Sequence, residues 1–386
     1  MFPTLSNIFE YLFNVRIPIP VQTFGFFVAL AFVLPYFVFR AEFKRKEADG
    51  RIHPYIEKEL TGMPASWLEL LVNGLLGFVF GYKVVAAVLH HQMFLNDPVK
   101  FLFSAQGNWP AGILSGAAFV YWIYTDRKKQ QLPEPKIIAK LLHPYELTGY
   151  LVFALGFVGF IGAKLFDVVE HHEALVADPV EMILSRDGFN FYGGLVFGAL
   201  TYLYICQKKG MKLIHLADIG SPGMMLAYAV GRIGCHLSGD GDWGIINSSI
   251  KPGWLGWLPD WMWSFRFPHN AIDAGVPIDS CIGEHCMILA RGVYPTSFYE
   301  AAVCLILFGL MWAFRRQITI PGLMFYLYLI LNGIERYLIE QIRITDKHYF
   351  LAMAFTQAEL IAVLFITGGI TGIIYILTTR KNHRVN

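Results

Sequence analysis

Nine stretches of about twenty apolar residues dominate this 386-residue chain, near 21–39, 67–90, 109–125, 147–169, 190–206, 212–231, 296–314, 321–341 and 354–377. A helix of that length crosses the ~30 Å hydrocarbon core of a bilayer with its backbone groups satisfying one another. With 55% hydrophobic and 16% charged residues, the chain holds more apolar material than a soluble domain can hide. An all-α, polytopic membrane helical bundle of about nine transmembrane helices is therefore expected. The basic loops Arg40–Arg51, Arg127–Lys140, Gln207–Lys212, Arg315–Gln317 and Arg380–Arg384 follow spans one, three, five, seven and nine. Positive loops stay in the cytoplasm, which puts the N-terminus outside, the C-terminus inside and a sizeable loop, 240–294, outside. No basic segment precedes the first span and no small-residue cleavage site follows it, so it is read as retained. A net charge of +2 offers no footing for nucleic acid.

The chain repeats itself with an offset of 81 positions. Gly81 and Lys83 align with Gly162 and Lys164, His90-His91 with His171-His172, and Asp97-Pro98-Val99 with Asp178-Pro179-Val180. Ser104, Gly107, Gly112, Leu114 and Tyr121 align with Ser185, Gly188, Gly193, Leu195 and Tyr202 without a gap. Two spans separate the copies, so the repeat is parallel. Residues 60–140 form the first copy, an inserted piece of one membrane domain, and 147–206 the second. Ala86, Leu89, Ala105, Gln106 and Ala111 of the first copy become Asp167, Glu170, Arg186, Asp187 and Tyr192 in the second, which is therefore the better place for a site. Paired histidines with Asp167 and Glu170 also suit a metal-binding, repeat-built carrier, but adjacent histidines point to different faces of a helix and the first copy lacks midplane polar groups.

Where the sixth apolar stretch ends, the chain reads Gly231-Arg232-Ile233-Gly234-Cys235-His236-Leu237-Ser238-Gly239-Asp240-Gly241-Asp242-Trp243-Gly244. A cation and two acids at a span mouth mark a functional site, glycine lets backbone crowd a ligand, and a guanidinium grips phosphate with a forked pair of donors. The expected ligand is anionic and lipid-borne. Glu335, Arg336 and Glu340 place three ionisable groups in another span, with Arg336 and Glu340 on one face and Asn332 one turn before. Cys281 and Cys286 in the outside loop are read as a structural staple, with a metal clip including His285 as the alternative. Cys206 and Cys304 read as small apolar residues.

Four pieces occur in a fixed order: Asp187-Gly188 to Tyr192-Gly193-Gly194-Leu195, then 231–244, then Tyr294-Pro295-Thr296-Ser297-Phe298-Tyr299-Glu300, then Glu335 to Glu340. Together they resemble the (F/W)HGGL, GRIGNFxNxExxG, HPxQLYE and FRxxxE elements of the prolipoprotein diacylglyceryl transferase family. The resemblance covers the first span and about 147–377, and leaves 60–140 as an addition to a seven-span form. It implies transfer of the diacylglyceryl group of phosphatidylglycerol to the lipobox cysteine thiol in prolipoprotein signal peptides, with release of glycerol phosphate, in the bacterial cytoplasmic (inner) membrane and without a cofactor or metal. Tyr192 stands where the family usually has His, Cys235 replaces the Asn after GRIG, one extra residue enters the acidic turn, and Phe24-Gly25 replaces Tyr-Gly. The chain is a divergent member of that pattern, and a catalytically inactive scaffold of the same descent is the third alternative.

Such a reaction needs a cation over the phosphate, a proton acceptor for the thiol and an opening to lipid. Arg232 and Arg336 are the phosphate-side candidates; snorkelling for Arg232 and pairing with Glu340 for Arg336 are their simpler readings. Asp240 and Asp242 orient Arg232, accept the proton or form an Asx turn. Tyr192 is assigned to catalysis through substrate contact, with His236 as an alternative relay. Gly193, Gly194, Gly231, Cys235, Ser238, Asp242, Gly244, Tyr299, Asn332 and Glu340 complete the expected substrate-binding set. Glu300 is read, beside Tyr299, as an acid complementing the dipole of the helix it opens, or as part of the site. Trp254, Trp257, Trp261 and Trp263 are read as interfacial or loop-covering aromatics.

Overall fold

The computed structural model describes residues 1–385 apart from 16, 18, 20, 97–100, 103, 185–189, 282, 346–347 and 351–352. Asp97-Pro98-Val99 of the repeat, and Ser185, Arg186, Asp187 and Gly188 of its second copy, lie outside the described residues. Nine described helices have eighteen residues or more: α1 (Thr23–Ala48), α2 (Trp67–Leu89), α3 (Trp109–Gln130), α4 (Thr148–Glu170), α5 (Phe191–Lys208), α6 (Leu213–Ser238), α7 (Thr296–Phe314), α8 (Leu323–Glu340) and α9 (Gln357–Val385). Six described helical segments combine the length and hydropathy of a membrane span; α3, α5 and α8 fall outside that set.

The expectation of an all-α chain needs one correction, because three two-stranded ribbons join the helices. Strand β1 (Tyr55–Thr61) pairs with β2 (Lys136–Leu142), β3 (Val276–Pro277) with β4 (Met287–Ile288), and β5 (His348–Phe350) with β6 (Met353–Phe355). All six lie in connections between the long helices, where backbone groups find partners in a neighbouring segment.

One compact unit consists of residues 1–3, 23–55 and 143–386. Its spine is α6, whose membrane-length window is 61% buried against 17% for α1 and 28% for α7. Small residues make that burial compatible with close packing. A Cβ on Gly223 would lie 2.5 Å from the Phe39 ring of α1, and one on Gly234 2.7 Å from Phe27. Phe39, Phe43, Leu151, Tyr202, Leu216 and Ile219 form one apolar cluster along α6, and Met225, Ala229, Cys304, Met311, Met324 and Tyr328 another. At the α6 N-terminal end, Lys46 of α1 pairs with buried Asp218 at 3.1 Å. Asp218 also accepts the Gly322 and Phe325 amides at 3.0 and 3.2 Å, the favoured place for a carboxylate at the start of α8.

The 240–294 loop has its own small core of Trp243, Phe267 and Val293. Cys281 and Cys286 form a disulfide across 5.6 Å between Cα atoms, as the staple reading expected. His285 Nδ1 lies 3.1 Å from Asp273. Trp254 and Trp257 are exposed, Trp261 packs on His236 and Phe298, and Trp263 donates to the Ser249 carbonyl at 3.0 Å.

The second compact unit consists of 4–22 and 56–142. In it α2 and α3 form a hairpin, each started by a capping side chain: Ser66 accepts the Glu69 amide and Asn108 the Ala111 amide. Lys83 donates to the carbonyls of Phe101, Ser104 and Gln106, which ties down the connection. Its repeat counterpart Lys164 pairs with Asp167 at 3.3 Å, the position that is Ala86 in the first copy.

Both hairpins close on glycine. A Cβ on Gly116 would meet the Gly74 carbonyl at 3.0 Å, and one on Gly162 of α4 would meet the Gly193 carbonyl of α5 at 2.8 Å. Small residues let membrane helices approach until backbones touch. Gly162→Leu is expected to force α4 and α5 apart at a cost of about 1–3 kcal/mol, read as a lowered melting temperature in detergent. Gly309→Ala, with no atom within 4 Å of its Cβ position, should leave that temperature unchanged or slightly higher.

Candidate functional site

Three helices and one turn meet at a single buried carboxylate. Glu300 lies in the first turns of α7 and is 0% exposed. Arg232 of α6 brings Nε to 3.1 Å from Glu300 Oε2, and Arg336 of α8 donates from Nη1 to Oε1 at 2.8 Å. The Tyr228 hydroxyl, one turn before Arg232, donates to the same oxygen at 3.0 Å, while its ring lies 5.1 Å from the Arg232 guanidinium. Arg343, just beyond α8, places Nη1 3.7 Å from Glu300. Arg336 also pairs with Glu340 at 2.8 Å, as their spacing on one helix face implied. Asp242 forms ion pairs with both Arg232 and Arg343.

The glycine-acid turn has a geometric reason for each of its parts. Gly239 (φ 67°) ends α6 in the left-handed region and Gly241 (φ 99°) continues the turn. Asp240 accepts the Asp242 amide at 3.2 Å, so the Asx turn is real. Burial pushes the Asp240 carboxyl up from its ordinary range, and the neighbouring Cys235 thiol and the charges of Arg232 and Arg343 pull it part of the way back. Gly244 lets two backbones run together: Ile245 donates to the Ile342 carbonyl at 2.8 Å, and Gly244 bridges Arg343. A Cβ there would fall 2.9 Å from both Thr296 and Tyr294 side-chain carbons. The last glycine of the motif thus seats Arg343.

The structure therefore brings together Arg232, Arg336, Asp240, Cys235, Asp242, Gly244 and Glu340. Asn332 lies half-buried one turn before Arg336. Tyr192 opens α5, its amide accepted by the Asn190 side chain, and Gly193 and Gly194 sit at the α4–α5 crossing. Gly231 faces open space, Ser238 donates back to the Gly234 carbonyl, and the Tyr299 hydroxyl holds the outside loop through the Met262 carbonyl at 2.6 Å. His236 is enclosed by Trp261, Phe265, Phe267 and Phe298, with Ser297 Oγ at 3.4 Å.

One donor is left over: Arg343 Nη1 is buried without a hydrogen-bond partner. A buried guanidinium N–H that finds no protein acceptor is suited to an anionic ligand oxygen.

A family model of prolipoprotein diacylglyceryl transferase matches residues 111–375. That range holds every residue of this cluster. The chain belongs to the prolipoprotein diacylglyceryl transferase family. Among relatives, the phosphatidylglycerol–prolipoprotein diacylglyceryl transferase of Staphylococcus carnosus is 26% identical over 226 residues, 58% of this chain and 73% of its own length. The enzyme of the same name from Streptococcus pyogenes is 27% identical over 232 residues, 59% of this chain and 77% of its own.

Sequence reasoning about this transferase-family chain missed the central role of Glu300, and missed Tyr228 and Arg343 altogether. Two signals were available. Tyr228 lies four residues before Arg232, and Arg343 lies seven after Arg336, spacings that keep side chains on one side of a helix or its extension. Glu335 joins the buried set: it is 4% exposed with both oxygens lacking hydrogen-bond partners.

Glu300→Ala removes the acid that three buried guanidiniums share and leaves them only Asp242 and Glu340, with an expected cost of about 3–5 kcal/mol. Tyr299→Phe, which loses one loop hydrogen bond, should cost about 1 kcal/mol. Denaturation of both variants in detergent micelles checks the contrast.

Proposed function

We propose that this chain transfers the diacylglyceryl group of phosphatidylglycerol to the cysteine thiol of prolipoproteins. The carrying observation is the convergence of guanidiniums from α6, α8 and the segment after α8 on one buried carboxylate, Glu300, with an Arg343 donor lacking a hydrogen-bond partner. Family membership agrees with it. The incoming thiol gives up its proton, and the thiolate attacks the glyceryl carbon that carries the phosphate ester. The C–S bond forms as the C–O bond breaks, and the electron pair leaves on the phosphate of glycerol phosphate.

Arg232, Arg336 and Arg343 hold and neutralise that phosphate, because a forked, permanently charged donor matches its oxygens. Asp240, raised by burial and near Cys235 at the end of α6, is placed to accept the proton of an incoming thiol. Cys235, Asp242, Gly244, Asn332 and Glu340 shape the pocket; Tyr192, Gly193, Gly194, Gly231, Ser238 and Tyr299 form its surroundings. In this proposal all nine long helices cross the bacterial cytoplasmic membrane, with the N-terminus outside and the basic loops inside, so the site faces outward where prolipoproteins emerge.

In a bacterium depleted of its own transferase, expression of this chain should restore lipoprotein acylation; failure despite verified membrane insertion would sink the assignment. Arg336→Lys keeps the charge but loses the fork, and should lower kcat by about 10².

Asp240 gives a pH signature. Its ionised form is the acceptor, so activity should fall as pH drops through a pKa raised above the usual carboxylate range. Asp240→Asn should abolish that acid limb along with most activity. The sign for stability is opposite: a raised carboxyl favours the protonated fold, a contribution lost as pH rises through the raised pKa. The Asn variant should therefore unfold at higher temperature than the parent at neutral pH.

A further inference from the structure

At its N-terminal end, about 28 Å along the axis from Arg232 at ~1.5 Å per residue, α6 borders a second polar cavity. It encloses about 430 Å³. Two helix ends wall it. Helix α1 stops in a Schellman turn, with Arg51 N–H bonded to the Lys46 carbonyl and Gly50 N–H to Glu47, and α5 stops the same way through Met211 to Cys206 and Gly210 to Gln207. Gly50 (φ 67°) and Gly210 (φ 80°) take the left-handed position in each turn, with open space where a Cβ would stand. Those bonds tie off carbonyls that would otherwise repel an anion. The third wall is the start of α6, whose first amides have no intrahelical acceptor and carry the positive end of the dipole.

The lining is basic: Arg51, His53, Lys209, Lys212 and His215, with no carboxylate among the lining residues. Arg51 reaches the Thr319 carbonyl at 3.4 Å and the Lys209 ammonium lies over the Tyr55 ring at 4.9 Å. His215 supplies the independent observation. It is 8% exposed, it lines the cavity, and its buried Nδ1 has no hydrogen-bond partner. A buried imidazole nitrogen without a partner is costly unless a ligand completes it.

We propose that this cavity binds a phosphate group, carried by an anionic phospholipid or free in solution, at a site separate from the transfer pocket. Arg51 and Lys212 supply charge, the α6 amides supply dipole, and His215 supplies the inner contact. The cavity lies among the basic connections that follow α1 and α5, the side where anionic headgroups attract lysine and arginine.

The test uses the full chain in phosphatidylcholine nanodiscs, with an Arg51→Gln/Lys212→Gln double variant and a His215→Asn variant. In one arm, phosphatidic acid, which lacks the glycerol headgroup that the transfer reaction releases as glycerol phosphate, is added and retained lipid is counted by native mass spectrometry. In the other, inorganic phosphate is titrated calorimetrically. Removing two cations, each worth about a factor of five near an anionic headgroup, should weaken binding about thirtyfold. Transferase activity of the double variant in phosphatidylglycerol membranes should persist and reports folding; Arg336→Lys should keep the binding. Variant-sensitive retention of phosphatidic acid identifies a lipid site, and variant-sensitive phosphate binding identifies a soluble ligand. Equal retention and equal titration by parent and variants overturn the proposal.

Discussion

The burial of the Glu300 carboxylate is the constraint on which the site depends. A lone ionised acid at 0% exposure is far too costly to keep, so its position requires the guanidiniums that surround it. Those guanidiniums come from α6, α8 and the segment after α8, and each is itself compensated by Asp242 or Glu340. The arrangement holds only when three helices and one turn are in register. A fixed carboxylate at that point keeps three like charges close together.

Glycine does the complementary work on the backbone side. Gly244 admits the Ile342 carbonyl and so places Arg343, a role that has little to do with direct contact to a ligand. Gly162 and Gly193 bring α4 and α5 into backbone contact, and Gly81, the counterpart of Gly162, does the same for α2 and α3, where a Cβ would lie 2.5 Å from the Ala111 carbonyl. The repeat in the sequence is therefore a repeat of a packing device. The second copy adds an acid, Asp167, where the first has Ala86, and Lys164 pairs with it.

Helix α6 carries opposite demands at its two ends. Toward its C-terminal end, Arg232 lies on the side where the helix dipole favours a cation. At its N-terminal end, the buried Lys46–Asp218 pair ties α1 and α8 to it, while the only ionisable residues lining the cavity beyond are basic. The glycine-lined middle serves packing against α1, which is why this helix is the most enclosed of the membrane-length segments described.

The positions of the nine long helices, the placement of Arg232 and Arg336 within apolar stretches and the turn chemistry of 239–244 were legible in the sequence. Hydropathy windows, charge inside an apolar stretch and glycine-acid alternation are local signals that neighbours along the chain suffice to produce. Glu300 and Arg343 were not legible in the same way. An acid in the first turn of a helix and an arginine just past another's end look like ordinary dipole and surface residues, and only the packing of α7 between α6 and α8 turns them into a buried centre. Nor could residue order announce that Gly193 packs a helix, that Tyr299 holds a loop, or that Gly244 pairs a strand. The chain by itself determined which segments are apolar and which charges they carry; the tertiary structure decided which of those charges share one low-dielectric space, because that depends on distances between segments far apart in the chain.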